Sequence, residues 1–271
     1  MSNDHVNNPS GKRRVLVTGA GGRIGSSFAE YSHDRYDLRL MISPRKNGEK
    51  LSGFGEIVYG DLDDLDTLKN LCDGVDTVVH LAARASVKTQ WDALLKDNII
   101  GTYNLFTAAH AAGCRRVVFA SSIHAVSGYP KSYQVHPDDP VNPGDLYGVS
   151  KCFGEALGRY MAVQHGLSTI IIRIGAFKPK EFACDKKSLP MMNVFVSHQD
   201  LDQLLCKAID NTDVKFGIYH GLSDNLFERM SIDSAKEQLK YSPEDDFTEL
   251  NELLHDLHLR EKLYPHDEKH S

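Results

Sequence analysis

The fold is decided near the start of the chain by residues 13–25, which read RRVLVTGAGGRIG. The β-branched run at 15–18 predicts a buried strand that stops at glycines, which permit a tight turn and let the backbone approach a phosphate. A helix predicted over 25–35 would present free N–H groups and the positive end of its dipole to a pyrophosphate. We therefore predict a dinucleotide-binding turn, with a purely structural glycine turn as the alternative. The predicted contact residues are Gly19, Gly22, Arg23, Ile24 and Gly25.

More apolar runs with strand character follow, and helical patterns separate them. The strands are predicted at 38–42, 57–59, 77–81, 116–120, 169–174 and 215–220. The helices are predicted at 65–72, 97–112, 146–165, 198–209, 231–240 and 247–263, and a loop at 178–192. Strands that alternate with helices form βαβ units, which give a parallel sheet covered on both faces. The sequence therefore predicts an α/β fold, a Rossmann-type doubly wound parallel sheet with a small C-terminal substrate-binding part.

The same patterns divide the chain into four stretches. Residues 1–12 are polar and predict a disordered tail, and 265–271 predict a frayed one. Residues 13–178 carry the regular alternation of a dinucleotide-binding Rossmann domain. Residues 179–264 are predicted to form a small mixed substrate-binding region that is partly interleaved with the sheet.

Composition excludes several classes of function. The 271 residues carry a formal net charge of -6, so no nucleic-acid-binding face is expected. No apolar run approaches the roughly 18 residues of a membrane span, so no membrane partner is predicted. The 5 cysteines are widely spaced, which favours free thiols in a cytoplasmic protein over disulfides or a zinc site. The 13 histidines form no convincing ligand pair, so no metal is predicted.

The end of the second predicted strand bears on the choice of cofactor. NAD sites usually have an acidic residue there, which binds the ribose 2′-hydroxyl. Here the strand ends MISPRK at 41–46, with no acid and two cations. Ser43 and Arg45 would suit the 2′-phosphate of NADP, and solvated loop charges are the alternative. The sequence therefore favours NADP over NAD, and the use of both stays open.

A tyrosine and a lysine, Tyr147 and Lys151, lie four residues apart near the start of a predicted helix, which places both side chains on one face. An ammonium group lowers the pKa of a neighbouring phenol, so Tyr147 is predicted to exchange a proton with a substrate hydroxyl. Ser122 follows the fifth strand, where open α/β sheets bind ligands, and its hydroxyl is predicted to hold the substrate oxygen. We predict Ser122, Tyr147 and Lys151 as catalytic residues.

With these motifs the sequence resembles the extended short-chain dehydrogenases/reductases, the superfamily of the NAD-dependent epimerases and dehydratases. The matching motifs, within residues 13–220, are TGAGGRIG at 18–25, DL at 61–62, HLAA at 80–83, N at 98, SS at 121–122 and YGVSK at 147–151. The resemblance implies that Asp61 and Leu62 lie near the adenine. It also implies cofactor contacts from Leu81, Ala82, Ala83, Asn98, Tyr147 and Lys151, the last on the nicotinamide ribose.

A closer resemblance is to the uronate dehydrogenases. It lies in the phrases NIIGTYNL at 98–105, FASSIH at 119–124, LYGVSKCFGE at 146–155, RIG at 173–175 and SHQD at 197–200. The resemblance implies oxidation of C1 of a cyclic hexuronic acid to an aldarolactone with NAD. The short C-terminal part fits a free sugar acid better than a nucleotide sugar.

The sequence departs from that family around the substrate. Ile123 replaces a substrate-binding Asn, and Ala176 replaces a Ser. No Arg occurs in 179–193 to clamp a carboxylate with its planar fork. The residues that could supply charge instead are Lys180, Lys186 and Lys187.

Two further side chains are predicted to bind substrate together with Ser122 and Tyr147. His124 lies two residues after Ser122, and Ser86 follows the fourth strand. For each of them, a packed or solvated loop side chain is the alternative.

The predicted function is an NAD(P)-dependent oxidoreductase that transfers hydride between a nicotinamide cofactor and a sugar or sugar-acid hydroxyl. The alternatives are a nucleotide-sugar epimerase or dehydratase with a retained cofactor, and a non-catalytic NAD(P)-binding sensor. Apolar stripes on the helices at 97–112 and 146–165 predict a homo-oligomer, because such helices pair across a dimer in the resembled superfamily. A purely intramolecular core is the alternative for these stripes.

Overall fold

The computed structural model describes residues 11–263. Its main strands are β1 Arg14–Thr18, β2 Asp37–Ile42, β3 Glu56–Tyr59, β4 Thr77–His80, β5 Arg116–Ser122, β6 Ser168–Ile174 and β9 Phe216–Gly221. They form one parallel sheet in the order β3-β2-β1-β4-β5-β6-β9. A separate parallel pair consists of β7 Ala176–Phe177 and β8 Phe195–Val196. The predicted doubly wound α/β fold is confirmed.

Helices connect and cover the strands. They are α1 Arg23–Ser32, α2 Leu65–Cys72, α3 Trp91–Leu94, α4 Gly101–Ala111, α5 Leu146–His165, α6 Lys180–Cys184, α7 His198–Asp210, α8 Asp233–Leu239, α9 Phe247–Leu250 and α10 Leu259–Leu263. A π-helical turn, Leu95–Ile100, joins α3 to α4. Short 3-10 turns lie at Glu49–Leu51, Ile123–Val126, Lys186–Met191 and His255–Leu257. No helix within residues 11–263 has the length and apolar character needed to cross a membrane.

Alternate residues of each strand point to opposite faces of the sheet, and both faces are buried. Val15 and Val17 of β1 belong to a core shared with α1 and α7, which is represented there by Phe28 and Leu201. Leu16, between them in sequence, belongs to the second core, which α2, α4 and α5 cover. The central strands β4, β5 and β6 are buried along their whole length because they are covered on both sides, whereas the edge strand β3 is exposed at both ends.

The order of the strands positions the site. β1 lies between β2 and β4, with Thr18 opposite both Met41 and His80, so the chain changes direction along the sheet at β1. Ligands of open α/β sheets bind beyond the carboxyl ends of the strands at this switch point. The glycine turn after Thr18 and the catalytic candidate Ser122, at the end of β5, therefore lie at the same edge of the sheet.

Two predicted elements differ from the structure: the helix before β5 and the segment between β7 and β8. The helix predicted at 97–112 is the last part of a longer helical stretch that begins at Trp91 and contains the π-helical turn. The loop predicted at 178–192 contains α6 and a 3-10 turn instead. The hydroxyl of Ser188 donates to the carbonyl of Ala183 over 3.0 Å, and this bond joins the two short helices.

The single helix predicted at 247–263 is wrong, because the structure breaks it into α9, a 3-10 turn and α10. The side-chain amide of Asn251 donates to the carbonyl of Ala183 over 2.7 Å, which draws residue 251 out of the helix. His258 has a φ of 47°, a left-handed conformation that no helix can include. Both interruptions depend on the tertiary fold rather than on the apolar pattern.

The segment after residue 178 contributes both to the sheet and to a small cap, which is formed by α6, β8 and α9. β9 pairs with β6, and α7 packs on α1. The cap has its own small core of three buried residues, Ala183, Phe195 and Phe247. The tails predicted at 1–12 and 265–271 lie outside the described residues, except for 11–12.

Candidate active site

The turn after β1 is built so that only glycine fits at two of its positions. Gly19 has a φ of +71°, and an added Cβ would lie 2.7 Å from the backbone nitrogen of Ala82. A Cβ at Gly25 would lie 2.4 Å from the carbonyl oxygen of Gly19. Gly22 is the N-cap residue of α1, has no side-chain cap, and is followed by a first turn without an acidic residue. These features let a pyrophosphate approach the backbone of the turn closely, and they leave the N–H groups at the start of α1 available to it. The turn therefore fits a dinucleotide.

The other two predicted contacts of this turn differ in exposure. Arg23 is exposed on the first turn of α1, at the mouth of the glycine turn. Ile24 is half-buried and packs against the larger core. Only Arg23 therefore offers its side chain to a ligand, and Ile24 offers its backbone.

The adenosine side of the predicted cofactor site combines an acid with an unpaired cation. The Ser43 hydroxyl, just after β2, donates to Oδ1 of Asp61 over 3.3 Å. Arg45 is exposed and forms no ion pair with any of residues 11–263. Leu62 packs so closely on Gly101 that a Cβ there would lie 2.7 Å from the Leu62 Cβ. The end of β2 lacks an acidic residue, and Asp61, in the loop after β3, lies beside it instead.

The segment after β4 is held against the glycine turn by Thr18. The backbone nitrogen of Leu81 donates to the Thr18 carbonyl over 3.3 Å, and that of Ala82 donates to the Thr18 hydroxyl over 3.3 Å. The same hydroxyl lies 2.7 Å from Nδ1 of His80. Burial, with a smaller effect of nearby Lys151, lowers the pKa of His80 to about 3. A neutral His80 therefore fixes Thr18, which in turn places 81–83 beside the predicted cofactor site.

Asn98 is saturated by protein partners rather than directed at a ligand. Its Oδ1 accepts from the backbone nitrogen of Arg84 over 2.8 Å, and its Nδ2 donates to the Arg84 carbonyl and to the Ser150 hydroxyl. Ser150 lies next to Lys151, and its hydroxyl donates to the carbonyl of Tyr147. The π-helical turn thus carries a residue that ties the loop after β4 to the start of α5.

The three predicted catalytic residues converge at the end of β5. The Ser122 side chain is near enough to the Tyr147 phenol to lower its pKa. Nζ of Lys151 lies 5.7 Å from the centroid of the Tyr147 ring and donates to the carbonyl of Ala120 over 2.8 Å. All three side chains are buried. The arrangement brings a proton-carrying phenol, a serine hydroxyl and an ammonium group together.

The sequence predicted that Lys151 lowers the pKa of Tyr147, but in the structure the pKa of Tyr147 is raised. Burial raises the pKa of Tyr147 to about 12, and the Ser122 side chain opposes this only in part. Burial also lowers the pKa of Lys151 to about 8, against the opposing effect of Glu155. The prediction was wrong because it counted the charge of Lys151 and left out the burial of both side chains.

His124 pairs with an aspartate that the sequence analysis missed. Nδ1 of His124 lies 2.7 Å from Oδ2 of Asp145, and the rings of His124 and Tyr147 meet edge to face at 5.4 Å. Oδ1 of Asp145 accepts from the backbone nitrogen of Gly148 and caps α5. The sequence signal for Asp145 is its place directly before the predicted helix, because aspartate is a preferred N-cap residue. His124 therefore lies at the predicted catalytic tyrosine, and Ser86 is exposed in a turn where its hydroxyl accepts from the backbone nitrogen of Lys88 over 3.2 Å.

A buried acid, Glu155, was also missed. Its Oε1 accepts from the Ser121 hydroxyl over 2.6 Å, and its two oxygens pair with Arg173 at 2.9 Å each. Glu155 lies one helical turn after Lys151, and its charge supports the ammonium form of that lysine. The i, i+4 spacing on α5 was the available signal. Glu155 thus joins β5, β6 and α5 directly beneath the catalytic residues.

Of the three lysines that could supply charge for a substrate carboxylate, one is ion-paired and two are exposed. Nζ of Lys180 lies 2.8 Å from Oδ1 of Asp245. Lys186 and Lys187 are exposed on the 3-10 turn after α6. Ile123 is half-buried and packs against the larger core. These four residues therefore leave the recognition of a substrate charge to other side chains.

Comparison with known proteins places this arrangement in a family. Residues 15–180 match the model of the NAD dependent epimerase/dehydratase family. A NAD-dependent glucose-6-phosphate dehydrogenase of Haloferax volcanii is 35% identical over 254 residues, which is 87% of this chain and 94% of that protein. A uronate dehydrogenase of Agrobacterium fabrum is 36% identical over 193 residues, 71% of this chain and 70% of that protein.

The solved structures agree with the sequence comparison. The crystal structure of a uronate dehydrogenase from Agrobacterium tumefaciens superposes with a TM-score of 0.78 and 31% identity, over 96% of this chain and 91% of that chain. The predicted resemblance to extended short-chain dehydrogenases, and to uronate dehydrogenases within them, is confirmed. The uronate dehydrogenase-like function is supported over a nucleotide-sugar epimerase.

Proposed function

Because the chain belongs to the NAD dependent epimerase/dehydratase family, we propose that it is a dehydrogenase of free sugars or sugar acids that uses NAD or NADP. The observation that carries the proposal is the convergence of Ser122, Tyr147 and Lys151 at the end of β5, beside the glycine turn. Relatives that match most of this chain include dehydrogenases named for glucose 6-phosphate and for uronate.

The proposed roles follow from the contacts of each side chain. Ser122 holds the substrate oxygen, and the neighbouring Tyr147 takes the hydroxyl proton. Lys151 is largely protonated at neutral pH, since its pKa of about 8 lies above 7, and its charge favours the phenolate. When bound, the oxidised nicotinamide accepts the hydride and adds a second positive charge near the phenol. His124, held by Asp145, lies at the ring of Tyr147 and binds a substrate hydroxyl.

Residues of the glycine turn and the neighbouring loops are proposed to hold the cofactor. Gly19, Gly22 and Gly25 receive the pyrophosphate together with the N-terminus of α1. The backbone of 81–83 borders the cofactor because Thr18 fixes it there. Asn98 is proposed to position that loop rather than to contact the cofactor itself.

Arg45 is proposed to let the site use NADP as well as NAD. Its exposed guanidinium has no ion pair with residues 11–263, so it remains free for a 2′-phosphate. Asp61, which accepts from Ser43, supplies an acceptor for a ribose hydroxyl. An acid and a free cation side by side support dual use, with the phosphate contact made by Arg45.

The test is a screen for net oxidation. D-glucuronate, D-galacturonate, glucose 6-phosphate, D-glucose and L-arabinose are each mixed with NAD or NADP, and the absorbance of the reduced nicotinamide is followed. We expect reduced cofactor to accumulate in proportion to the sugar consumed. Interconversion of UDP-sugars without net reduction of added cofactor would favour the epimerase, and binding of cofactor with no turnover of any sugar would favour the sensor.

We also propose that a second copy of the chain covers the outer face of α4 and α5. The exposed or half-exposed residues of α5 include Leu146, Val149, Phe153, Ala156, Tyr160 and Val163, which repeat at the three- and four-residue intervals of a helix-pairing seam. A continuous apolar face of this kind marks an interface. Light scattering should give the mass of an oligomer, and Val163→Asp should shift it toward the monomer. A monomeric wild type would contradict this part of the proposal.

A further inference from the structure

A cavity of about 480 Å³ lies at the β9 edge of the sheet. Residues of α5, β6, β9 and α8 line it, together with the loop residues 137–141. Ser122, Tyr147 and Lys151 are not among the described residues that line it. Its volume falls within the roughly 300–1,000 Å³ of small-molecule sites. The cavity is therefore separate from the predicted catalytic residues and large enough for a ligand of its own.

Arg173, which lines this cavity from β6, has an unused hydrogen-bond donor. The residue is only 1% exposed. Its Nε and Nη2 each donate to Glu155 over 2.9 Å, whereas Nη1 is buried and has no partner among residues 11–263. Native proteins rarely leave a buried donor without an acceptor, because the lost hydrogen bond costs free energy. Arg173 therefore calls for an acceptor from outside the chain.

Arg116, which is equally buried in β5, shows what Arg173 lacks. Its Nε donates to the hydroxyl of Ser168 over 3.0 Å. Its Nη1 and Nη2 donate to the carbonyls of Ala208 and Val214 over 2.7 Å and 2.5 Å. All three nitrogens of Arg116 are thus matched within the chain. The unmatched nitrogen belongs to the arginine that lines the cavity.

A second unmatched polar group lines the same cavity. The hydroxyl of Ser234, in the first turn of α8, is buried and has no hydrogen-bond partner in the part of the chain that the structure describes. A hydroxyl can donate one hydrogen bond and accept two. Cavities that stay empty are apolar, whereas unmatched polar groups in a wall are matched by a polar occupant. The two groups, from β6 and α8, therefore indicate that a polar molecule fills this cavity.

The charges around the cavity favour a neutral occupant. Three acidic residues line it, Asp138, Asp139 and Glu155, against two arginines. Glu155 already neutralises Arg173, so Arg159 alone among the described lining residues opposes the two aspartates. An anion would meet these aspartates, and a cation would offer no acceptor to the buried arginine. A molecule with several hydroxyl groups supplies both acceptors and donors and carries no charge.

We propose that this cavity is a second binding site, which takes a neutral polyhydroxylated molecule, a sugar or a polyol. One ligand hydroxyl accepts from Nη1 of Arg173, a second pairs with the hydroxyl of Ser234, and others donate to Asp138 at the rim. The C–H groups of the ligand pack on Ile218. Ordered water is the competing occupant, since it also matches buried polar groups. The inference goes beyond the proposed oxidation and does not depend on it.

The thiol of Cys152, which is half-buried and lines the cavity, reports its occupancy in the unaltered protein. Alkylation by iodoacetamide is followed at each cysteine by mass spectrometry, in mildly alkaline buffer because burial raises the pKa of Cys152 to about 11. The probes are D-glucose, sorbitol, sodium acetate and sodium phosphate. Cys184, half-buried on α6, is the internal control and should react at an unchanged rate.

We expect D-glucose or sorbitol to slow the alkylation of Cys152 in a saturable way. The slowing should reach about 10-fold when the probe is at about ten times its dissociation constant. The probe with the smaller dissociation constant identifies a sugar ring or an open-chain polyol as the source. Acetate and phosphate at equal concentration should leave the rate unchanged.

Variants locate the bound probe. Ser234→Ala removes one hydroxyl from the cavity and should raise the dissociation constant on the order of 2- to 10-fold, as for one lost neutral hydrogen bond. Ser52→Ala, an exposed serine between β2 and β3 at the opposite edge of the sheet, is the matched control and should leave it unchanged. Tyr147→Phe should keep the protection of Cys152, because the phenol does not line the cavity.

Alkylation of Cys152 that neither D-glucose nor sorbitol slows would show that water alone fills the cavity and would overturn the inference. Equal slowing by acetate or phosphate would overturn the neutral ligand class. An unchanged dissociation constant in Ser234→Ala would place the probe elsewhere and also overturn it. Protection of Cys152 in a chain that oxidises no sugar would defeat the proposed function and leave this second site standing.

Discussion

The half of the molecule that receives the cofactor and the half that closes over the substrate are held together in different ways. The first is fixed by backbone: the glycine turn, the strand register and the bonds of Thr18 to Leu81 and Ala82. The second is fixed by side chains that reach between distant segments, such as Asn251 to Ala183. The glycine turn tolerates no added Cβ at Gly19 or Gly25, whereas the cap depends on single polar contacts between distant segments.

Relatives of this chain are named for different sugars. The residues proposed to act on the reacting carbon lie on β5 and α5, in the half that contains the glycine turn. Under the proposed function, the second half is left to select the sugar. Changes in the second half should therefore alter KM for sugars, and changes in the first half should alter cofactor binding or turnover.

The largest effect is expected from Gly25→Ala in the cofactor half. The new Cβ would lie 2.4 Å from the carbonyl oxygen of Gly19 and 2.7 Å from the Cα of Ala20, so the turn itself must move. We expect cofactor affinity to fall by about 100-fold or more, since a displacement of about 1 Å costs that much at a preorganised site. Calorimetric titration with NAD and NADP measures the change. Ser26→Ala, one residue further along α1, is the control and should bind normally.

Acid should affect two buried side chains, His80 and Asp202, in opposite directions. The pKa of His80, in β4, is lowered to about 3 by burial, so its contribution to stability is lost as the pH falls from 6.5 toward 3. The pKa of Asp202, in α7, is raised to about 7 by burial, so the free energy of unfolding gains from its protonation as the pH falls from 7 toward 3.8. The two effects oppose each other between pH 6.5 and pH 3.8.

Asp202→Asn tests this opposition. The amide keeps an acceptor for the hydroxyl of Ser27, which donates to Asp202 over 2.6 Å, but it cannot gain a proton. Urea unfolding at pH 7 and pH 5 should show a loss of stability on acidification that is about 2 kcal/mol larger in the variant than in the wild type. An unchanged difference between the two pH values would show that Asp202 is not protonated in this range.

Asn251→Ala tests whether the cap depends on one side chain. Its amide donates to the carbonyls of Ala183 and Asp185, and these acceptors would lose a buried partner. We expect the free energy of unfolding to fall by about 1–3 kcal/mol and KM for the sugar to rise, while cofactor affinity stays unchanged. Urea unfolding and cofactor titration on the same preparation separate the two halves. A matching loss of cofactor affinity would mean that the halves are not independent.

The smallest effect is expected from Arg45→Ala. Loss of one charge-assisted contact to a 2′-phosphate should raise KM for NADP by roughly 10-fold and leave KM for NAD unchanged. Initial rates with each cofactor measure the ratio, and Lys50→Ala provides a nearby exposed cation as the control. Equal effects on both cofactors would place Arg45 away from the 2′-position.

The sequence predicted the half that depends on local patterns. Gly19 and Gly25 stand out because only their backbone freedom and small size allow the turn, and Tyr147 and Lys151 because four residues span one helical turn. Neither signal needs knowledge of distant residues. The parallel sheet follows from the same kind of information, since the alternation of strands and helices is read along the chain.

What the sequence did not predict depends on distant contacts. Asp145 meets His124 only when the turn after β5 packs on the start of α5. The break at Asn251 needs the carbonyl of Ala183, 68 residues earlier. The pKa of Tyr147 is raised rather than lowered because burial, a property of the folded core, exceeds the lowering effect of the Ser122 side chain. Each of these is set by tertiary structure rather than by spacing.

The central claim is that the phenol of Tyr147 transfers the proton during sugar oxidation. The most direct test compares Tyr147→Phe with the wild type in two measurements, kcat for the best sugar of the screen and the dissociation constant of the cofactor. We predict that kcat falls by about 100- to 10,000-fold, the usual contribution of a general acid or base, while the dissociation constant changes little. Turnover by Tyr147→Phe at the wild-type rate, with the cofactor bound normally, would contradict the account.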